Sequence, residues 1–142
     1  MAFILTARHA IFDQRRGIKG IYGLGQAKCH EGQWWRIYAT WTEYFTSLVI
    51  HNLLFPNTAY TLIGFAQDSG NLCAVLRQPF VEGQQAKLED IKALLTFNEF
   101  TNTKRQGYLN KEFGLVLEDM HDENVISRQN LLFFIDTVFY VI

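Results

Sequence analysis

Residues 114–142 alternate short apolar runs with polar clusters, and no other feature of the chain restricts its fold as much. "GLVLED" and "LLFFID" are each too short for an ordinary helix and are bounded by polar residues, so both predict buried strands. Between them stands "MHDENVISRQN", which contains His121 and Asn124, with Asp119 just before it. Asp136 is set between "LLFFI" and "TVFYVI". A carboxylate in such surroundings is costly to bury unless it is paired or bound to a metal. If the two runs pair as a hairpin, Asp136 returns close to Asp119 and Asn124, and the strands hold these polar groups at fixed distances. The plain alternative is a solvated acidic turn followed by an aspartate that caps a strand end.

The rest of the chain alternates strands and helices. "FILTARHAIFDQRRGIKGIYG" reads as two strands around the turn "DQRRG". In "EGQWWRIYATWTEYFTSLVIHNLLFP", apolar Tyr38, Trp41, Phe45, Leu48, Val49 and Leu53 recur at helical spacing, and Pro56 stops the helix. "AYTLIGFAQDSGNLCAVLRQPFV" reads as a hairpin turning at "DSGN". "KLEDIKALLTFNEF" predicts a second helix with Ile91, Leu94 and Leu95 on one face. The order strand, strand, helix, strand, strand, helix, strand, strand is that of an α+β domain, not a doubly wound parallel sheet.

Composition sets the outer limits. A chain of 142 residues fits one domain with a real core. Hydrophobic residues at 49% and aromatic ones at 15% exclude a disordered chain. A net charge of −1 argues against a dedicated nucleic-acid binder, although Arg15, Arg16 and Lys19 form a local basic group. Cys29 and Cys73 lack C-x-x-C spacing and read as two free thiols in a reducing cytosol. "MAFILTARHA" has neither the basic start nor the long apolar stretch of a signal peptide, and no stretch is long enough to span a membrane. The expected location is cytoplasmic.

Two carboxylates and an amide oxygen are hard ligands suited to Mg²⁺ carrying phosphate groups. An aspartate beside such a metal can accept a hydroxyl proton during phosphoryl transfer. His9, His30 and His51 share no metal-binding spacing, and His121 reads as an orienting residue of its loop. The aromatics Trp34, Trp35, Trp41 and Tyr44 read as core or partner-facing residues.

The spelling of these segments resembles a known group. Asp119-Met-His121-Asp-Glu-Asn124, followed by Ile135-Asp136, is similar to the D-x-H-x-x-N and I-D signature of the protein-kinase-like fold, in the form used by aminoglycoside phosphotransferases and choline kinases. "EYFTSLVIHNLLFPNTAYTLIGFA", "VLRQPFVEG" and "LEDMHDENVI" resemble more closely still the small kinase-like domains of polyvalent proteins of phages and mobile elements. The resemblance covers most of residues 7–138. It implies an antiparallel sheet with an inserted helix and a hinge over residues 1–83, then a reduced C-terminal lobe with the catalytic loop over 84–142. It implies ATP and Mg²⁺ as cofactors. Asp119 takes the place of the catalytic aspartate, and Asn124 and Asp136 that of the metal-binding pair. Lys19 resembles the lysine that contacts the nucleotide phosphates, and Glu43 the glutamate that pairs with it. Gln78 to Val81 occupies the place of the hinge that holds the adenine.

Three readings of function follow. The first is an ATP- and Mg²⁺-dependent phosphotransferase whose acceptor the sequence does not disclose. The second is a non-catalytic, pseudokinase-type module that binds a nucleotide or a partner protein. It is favoured by the absence of glycine from "MAFILTARHA", by Leu117 two residues before Asp119, and by Thr137 directly after Asp136. The weakest is a metal-dependent hydrolase built on His121 and Asp122. The chain ends at Ile142, soon after Asp136, so the helices that follow this site in larger kinases are expected to be lacking. The apolar tail and Trp34, Trp35 and Trp41 then need other cover, so a homodimer or a partner chain is expected there.

Overall fold

The computed structural model describes residues 2–6, 9–13, 18–23, 27–30, 33–36, 40–68 and 71–142; through residue 36, and at 68, 71 and 73, it describes the course of the backbone alone. The chain divides into two compact units, Met1–Phe45 with Ala59–Phe80, and Thr46–Thr58 with Val81–Ile142. The architecture is α+β, with two α-helices among the described residues.

In chain order the first unit carries β1 (Ala2–Thr6), β2 (His9–Asp13), β3 (Ile18–Gly23), β4 (Ala27–His30), β5 (Gln33–Arg36), the start of α1 (Trp41–Leu54), β6 (Thr61–Asp68) and β7 (Asn71–Arg77). One sheet runs β2-β1-β3-β7-β6. The segment expected to hold two strands holds three. β1 pairs antiparallel with β2 from Ala2↔Asp13 to Thr6↔His9, and touches β3 in parallel at Ala2↔Ile18. Of the expected turn "DQRRG", Asp13 closes β2 and residues 14–17 lie outside the described residues. The expected hairpin after the helix is β6–β7. Its ladder closes at Asp68↔Asn71 around Ser69 and Gly70, which also lie outside the described residues.

The first helix starts later than its apolar spacing predicts. Gln33–Arg36 is strand, paired with β4 from Ala27↔Arg36 to His30↔Gln33. Trp34 and Trp35 suit a pleated surface. The start at Trp41 is set by polar chemistry. The Thr40 Oγ1 accepts the Glu43 N–H and the Glu43 Oε2 accepts the Thr40 N–H, both at 3.1 Å. This reciprocal capping box satisfies two donors that the first helical turn leaves open. Of the predicted stripe, Tyr38 lies outside the described residues, while Val49 and Leu53 are turned to solvent at 58% and 75% exposure. The buried positions of α1 are Tyr44, Ser47 and His51. Trp41 stacks on Phe45 at 5.6 Å, and the Phe65 ring meets Trp41 edge-on at 5.8 Å.

The second unit holds the rest of α1, then β8 (Gln84–Gln85), α2 (Leu88–Phe97), β9 (Thr101–Asn102), β10 (Tyr108–Asn110), β11 (Leu115–Glu118), β12 (Val125–Arg128), β13 (Leu131–Phe134) and β14 (Val138–Val141). Two antiparallel sheets result, ordered β14-β11-β10-β9 and β13-β12-β8. The core joins Ile91 and Leu95 of α2 with Leu117, Met120, Val125, Phe134 and Phe139. Leu94, expected on the same face as Ile91 and Leu95, is exposed, so the buried stripe of α2 is only one residue wide per turn. The helix stops where the Asn98 side chain donates to the Leu94 carbonyl at 2.9 Å. Glu99 then takes a left-handed conformation (φ 63°), and the Phe100 N–H returns to the Leu95 carbonyl. That is the Schellman pattern, with the buried Phe100 supplying its hydrophobic contact.

Close approach explains Gly83. A Cβ there would come within 2.6 Å of Ile126 Cγ2 and of the Ser127 carbonyl, so a side chain would push β8 off β12. The tail has the cover it was expected to need from outside, at least on its inner face. β14 pairs with β11 from Leu115↔Val141 to Glu118↔Val138, and Val138 and Phe139 are buried in the unit's own core. Val141 and Ile142 remain exposed. Among the described residues no helix is long and apolar enough to cross a membrane.

Phe134 is among the largest fully buried side chains of this core. It stacks on Phe55 at 4.3 Å with planes 11° apart and is almost wholly buried. Phe134→Ala is expected to cost about 3–5 kcal/mol through lost transfer energy and the cavity left behind. Urea unfolding checks this: the midpoint should fall sharply.

Candidate active site

The site is built at the place where the chain leaves one sheet of the second unit for the other. "GLVLED" and "LLFFID" do not pair with each other, so the hairpin expected of them does not form. β11 pairs with β10 and β14, and β13 pairs with β12. Two ladders instead of one bound the segment that holds Asp136. The β11–β14 ladder ends at Glu118↔Val138, one residue before Asp119 on one strand and one after Thr137 on the other. The β12–β13 ladder ends at Val125↔Phe134, and the Ile135 N–H extends it by one bond of 3.0 Å to the Asn124 carbonyl. Asp136, which falls in the gap between β13 and β14, is thereby held between a neighbour of Asn124 and a neighbour of Asp119.

The loop from Asp119 to Asn124 is closed by its own hydrogen bonds. Asp119 has φ 62°, a left-handed conformation that aspartate tolerates better than most residues, at about 1 kcal/mol. Its carbonyl accepts two donors, the His121 N–H at 2.9 Å and the Asn124 Nδ2 at 2.6 Å. Met120 turns into the core while its N–H meets the Gln106 carbonyl at 3.2 Å. A short 3-10 turn over Asp122–Asn124 completes the loop, with the Asn124 N–H on the His121 carbonyl. The His121 Nε2 lies 2.9 Å from the Asp119 Oδ1, which fixes the direction of that carboxylate. The expected orienting part for His121 matches this contact.

The amide of Asn124 has one allowed orientation. A backbone carbonyl only accepts, so the nitrogen must be the end aimed at Asp119, and Oδ1 points the other way. An amide oxygen such as that of Asn124 and a carboxylate such as that of the half-buried Asp136 are hard oxygen donors. They suit Mg²⁺, which usually takes one or two carboxylates and leaves the other positions to phosphate and water. A metal centre held by the protein alone is not present: among the described residues no three His, Cys, Asp or Glu side chains group together. The hydrolase reading through His121 and Asp122 therefore has no ligand set.

The remaining residues singled out in the sequence lie on other elements. Lys19 is on β3, and its side chain lies outside the described structure. Glu43 is in the first turn of α1, where one carboxylate oxygen serves the capping box. Gln78 and Val81 are buried while Pro79 and Phe80 are exposed, and the chain passes from the first unit to the second between Phe80 and Val81. One group was missed: Ser47, His51, Thr58 and Thr137 are polar, buried and mutually close to the Asp136 segment. The signal was in "SLVIH", where two polar residues four apart interrupt an apolar helix.

The α+β architecture, with D-x-H-x-x-N on the loop after β11 and I-D between β13 and β14, is compatible with a compact kinase-like domain. The match to one family settles which kind. Residues 28–142 match the family Kinase-PolyVal, described as a "Serine/Threonine/Tyrosine Kinase found in polyvalent proteins", and the chain belongs to that family. No curated protein and no solved structure gives a significant match.

Replacing Asn124 by aspartate tests the loop. Asn124→Asp removes the donor to the Asp119 carbonyl and sets a negative oxygen against it. It is expected to lower stability by about 1–3 kcal/mol, read by urea unfolding, whereas Glu123→Gln in the same exposed turn should change little.

Proposed function

We propose that the protein is an ATP- and Mg²⁺-dependent phosphotransferase. Asp119 is the catalytic base, and Asn124 and Asp136 are the metal-binding pair. The reading is supported by two separate ladders that end beside these residues, at Glu118↔Val138 and Val125↔Phe134, and by the bond from the Ile135 N–H to the Asn124 carbonyl. Family membership supports phosphoryl transfer, and the family's description favours a serine, threonine or tyrosine hydroxyl as acceptor. Asn124 and Asp136 would hold Mg²⁺, which would supply positive charge to offset the charge that develops during transfer.

Within this reading the acceptor hydroxyl attacks the terminal phosphorus, its proton passes to the Asp119 carboxylate, and the bond to ADP breaks. Held by His121 in a loop with little freedom, the carboxylate enters the reaction already oriented. Lys19 contacts the nucleotide phosphates, Glu43 pairs with Lys19, and Gln78 and Val81 lie along the adenine. Residues 1–83 serve as the N-lobe-like part with the hinge and residues 84–142 as the reduced C-lobe-like part, and a cytoplasmic setting supplies the nucleotide.

A second reading, a kinase-like module that binds a nucleotide or a partner chain without turnover, is favoured by one observation. β1 and β2, where a glycine-rich phosphate loop would be formed, contain no glycine. One experiment separates the two. Calorimetry of ATP with and without Mg²⁺, followed by a transfer assay on hydroxyl-bearing peptides, should give Mg²⁺-dependent binding and turnover. Asp136→Asn should lose the Mg²⁺ dependence, and Asp119→Asn should keep binding but lower turnover by roughly 10²–10⁴-fold, the range for a general base. Mg²⁺-dependent binding without any turnover selects the module, and no binding at all contradicts both nucleotide readings.

A further inference from the structure

Helix α1 buries the wrong residues for an amphipathic helix. Ser47 and His51 are almost wholly inside, at 1% and 0% exposure, while Val49 and Leu53 face solvent. Polar side chains are buried in this way when they are hydrogen-bonded, and here each has a partner on one and the same segment. The Ser47 Oγ accepts the Phe139 N–H at 2.9 Å. The His51 Nδ1 lies 2.7 Å from the Thr137 Oγ1. Four residues of helix advance about 6 Å, and two residues of strand about 6.6 Å. The spacing 47–51 on the helix therefore matches 139–137 on the extended segment, and both contacts can be made without distortion.

Thr58 adds a third hold. Its hydroxyl donates to the Phe134 carbonyl at 2.5 Å, and its carbonyl lies 3.0 Å from the His51 Nε2. A carbonyl only accepts, so Nε2 carries the ring proton. The Thr58 hydroxyl, its hydrogen turned to Phe134, offers a lone pair to the same Nε2 at 3.2 Å. In the neutral ring Nδ1 then accepts from the Thr137 hydroxyl. The segment is thus fixed at Phe134, Thr137 and Phe139, with Asp136 between the first two.

We propose that His51 is a positioning residue: through the Thr137 hydroxyl it sets the conformation of the segment that presents Asp136. Buried partners of this kind orient a metal-binding group without touching the metal, and their loss commonly lowers metal affinity 10–100-fold. The proposal rests on the reading of Asp136 as a metal-binding residue and goes further, since it assigns a part to a histidine that takes no place in the transfer chemistry.

The test uses Thr137→Val, which keeps the branched shape and removes the hydroxyl, and Thr137→Ser, which keeps the hydroxyl. Calorimetry of ATP on the full chain, with Mg²⁺ and with EDTA, is run beside hydrogen exchange of the amides of 135–139. Thr137→Val should weaken Mg²⁺-dependent ATP binding roughly 10–100-fold, leave the Mg²⁺-free affinity unchanged and speed exchange at 135–139 but not at Ile91 or Leu95. Thr137→Ser should restore binding to near the wild-type value, and imidazole nitrogen shifts should report His51 protonated on Nε2 in the wild type. Wild-type Mg²⁺-ATP affinity in Thr137→Val would overturn the proposal while leaving the phosphotransferase reading intact. A wild type with no Mg²⁺-dependent binding would overturn that reading first and the proposal with it.

Discussion

The hydrogen bond from the Ile135 N–H to the Asn124 carbonyl is the point on which the site depends. It is the last bond of the β12–β13 ladder, and one residue later the chain begins its approach to a different partner, β11. A segment that ends one ladder and begins another has little freedom, because each ladder fixes its own register and a slip by one residue would exchange the faces on which buried Phe133 and Phe134, and Val138 and Phe139, are packed. The apolar runs on either side of Asp136 therefore act as anchors for it. Hydrophobic burial decides where the polar group stands, and the hydrogen bonds decide how it points.

Opposite that segment, the Asp119 loop is stabilised by a different device. Its backbone turns through a left-handed aspartate, a modest cost that is offset by the two donors converging on the Asp119 carbonyl and by Met120 in the core. Strained backbone is retained where the surroundings over-determine it, which is frequent at functional sites. Behind the Asp136 segment, α1 contributes hydroxyl and imidazole groups where most helices would contribute leucine. An apolar face there would give at least as much stability, so the polar contacts are better understood through the directional control they exert.

Much of this was readable from the residues. The α+β class followed from short apolar runs among turn signals, and the kinase-like kinship from "LEDMHDENVI" and Ile135-Asp136. The pairing of strands was not. A four-residue apolar run records that it is buried without recording its neighbour, so "GLVLED" and "LLFFID" looked like one hairpin and proved to belong to two sheets. Periodicity also misplaced the start of α1, where Thr40 and Glu43 overrule the apolar spacing, and it took Val49 and Leu53 for part of the helix's apolar stripe when hydrogen-bonded Ser47 and His51 are the ones buried. Local hydrogen bonds to the backbone leave weak traces in hydropathy, yet they set element boundaries and helix rotation.

The central claim is that Asp119, Asn124 and Asp136 surround one metal-nucleotide position. Manganese replacing magnesium makes that position visible by nuclear magnetic resonance, since a paramagnetic ion broadens only the signals near it. With ATP present, low Mn²⁺ should first broaden the amide signals of Asp119, Asn124 and Asp136 together, and excess Mg²⁺ should restore them. Broadening centred on other residues, or at one of the three alone, would contradict the account.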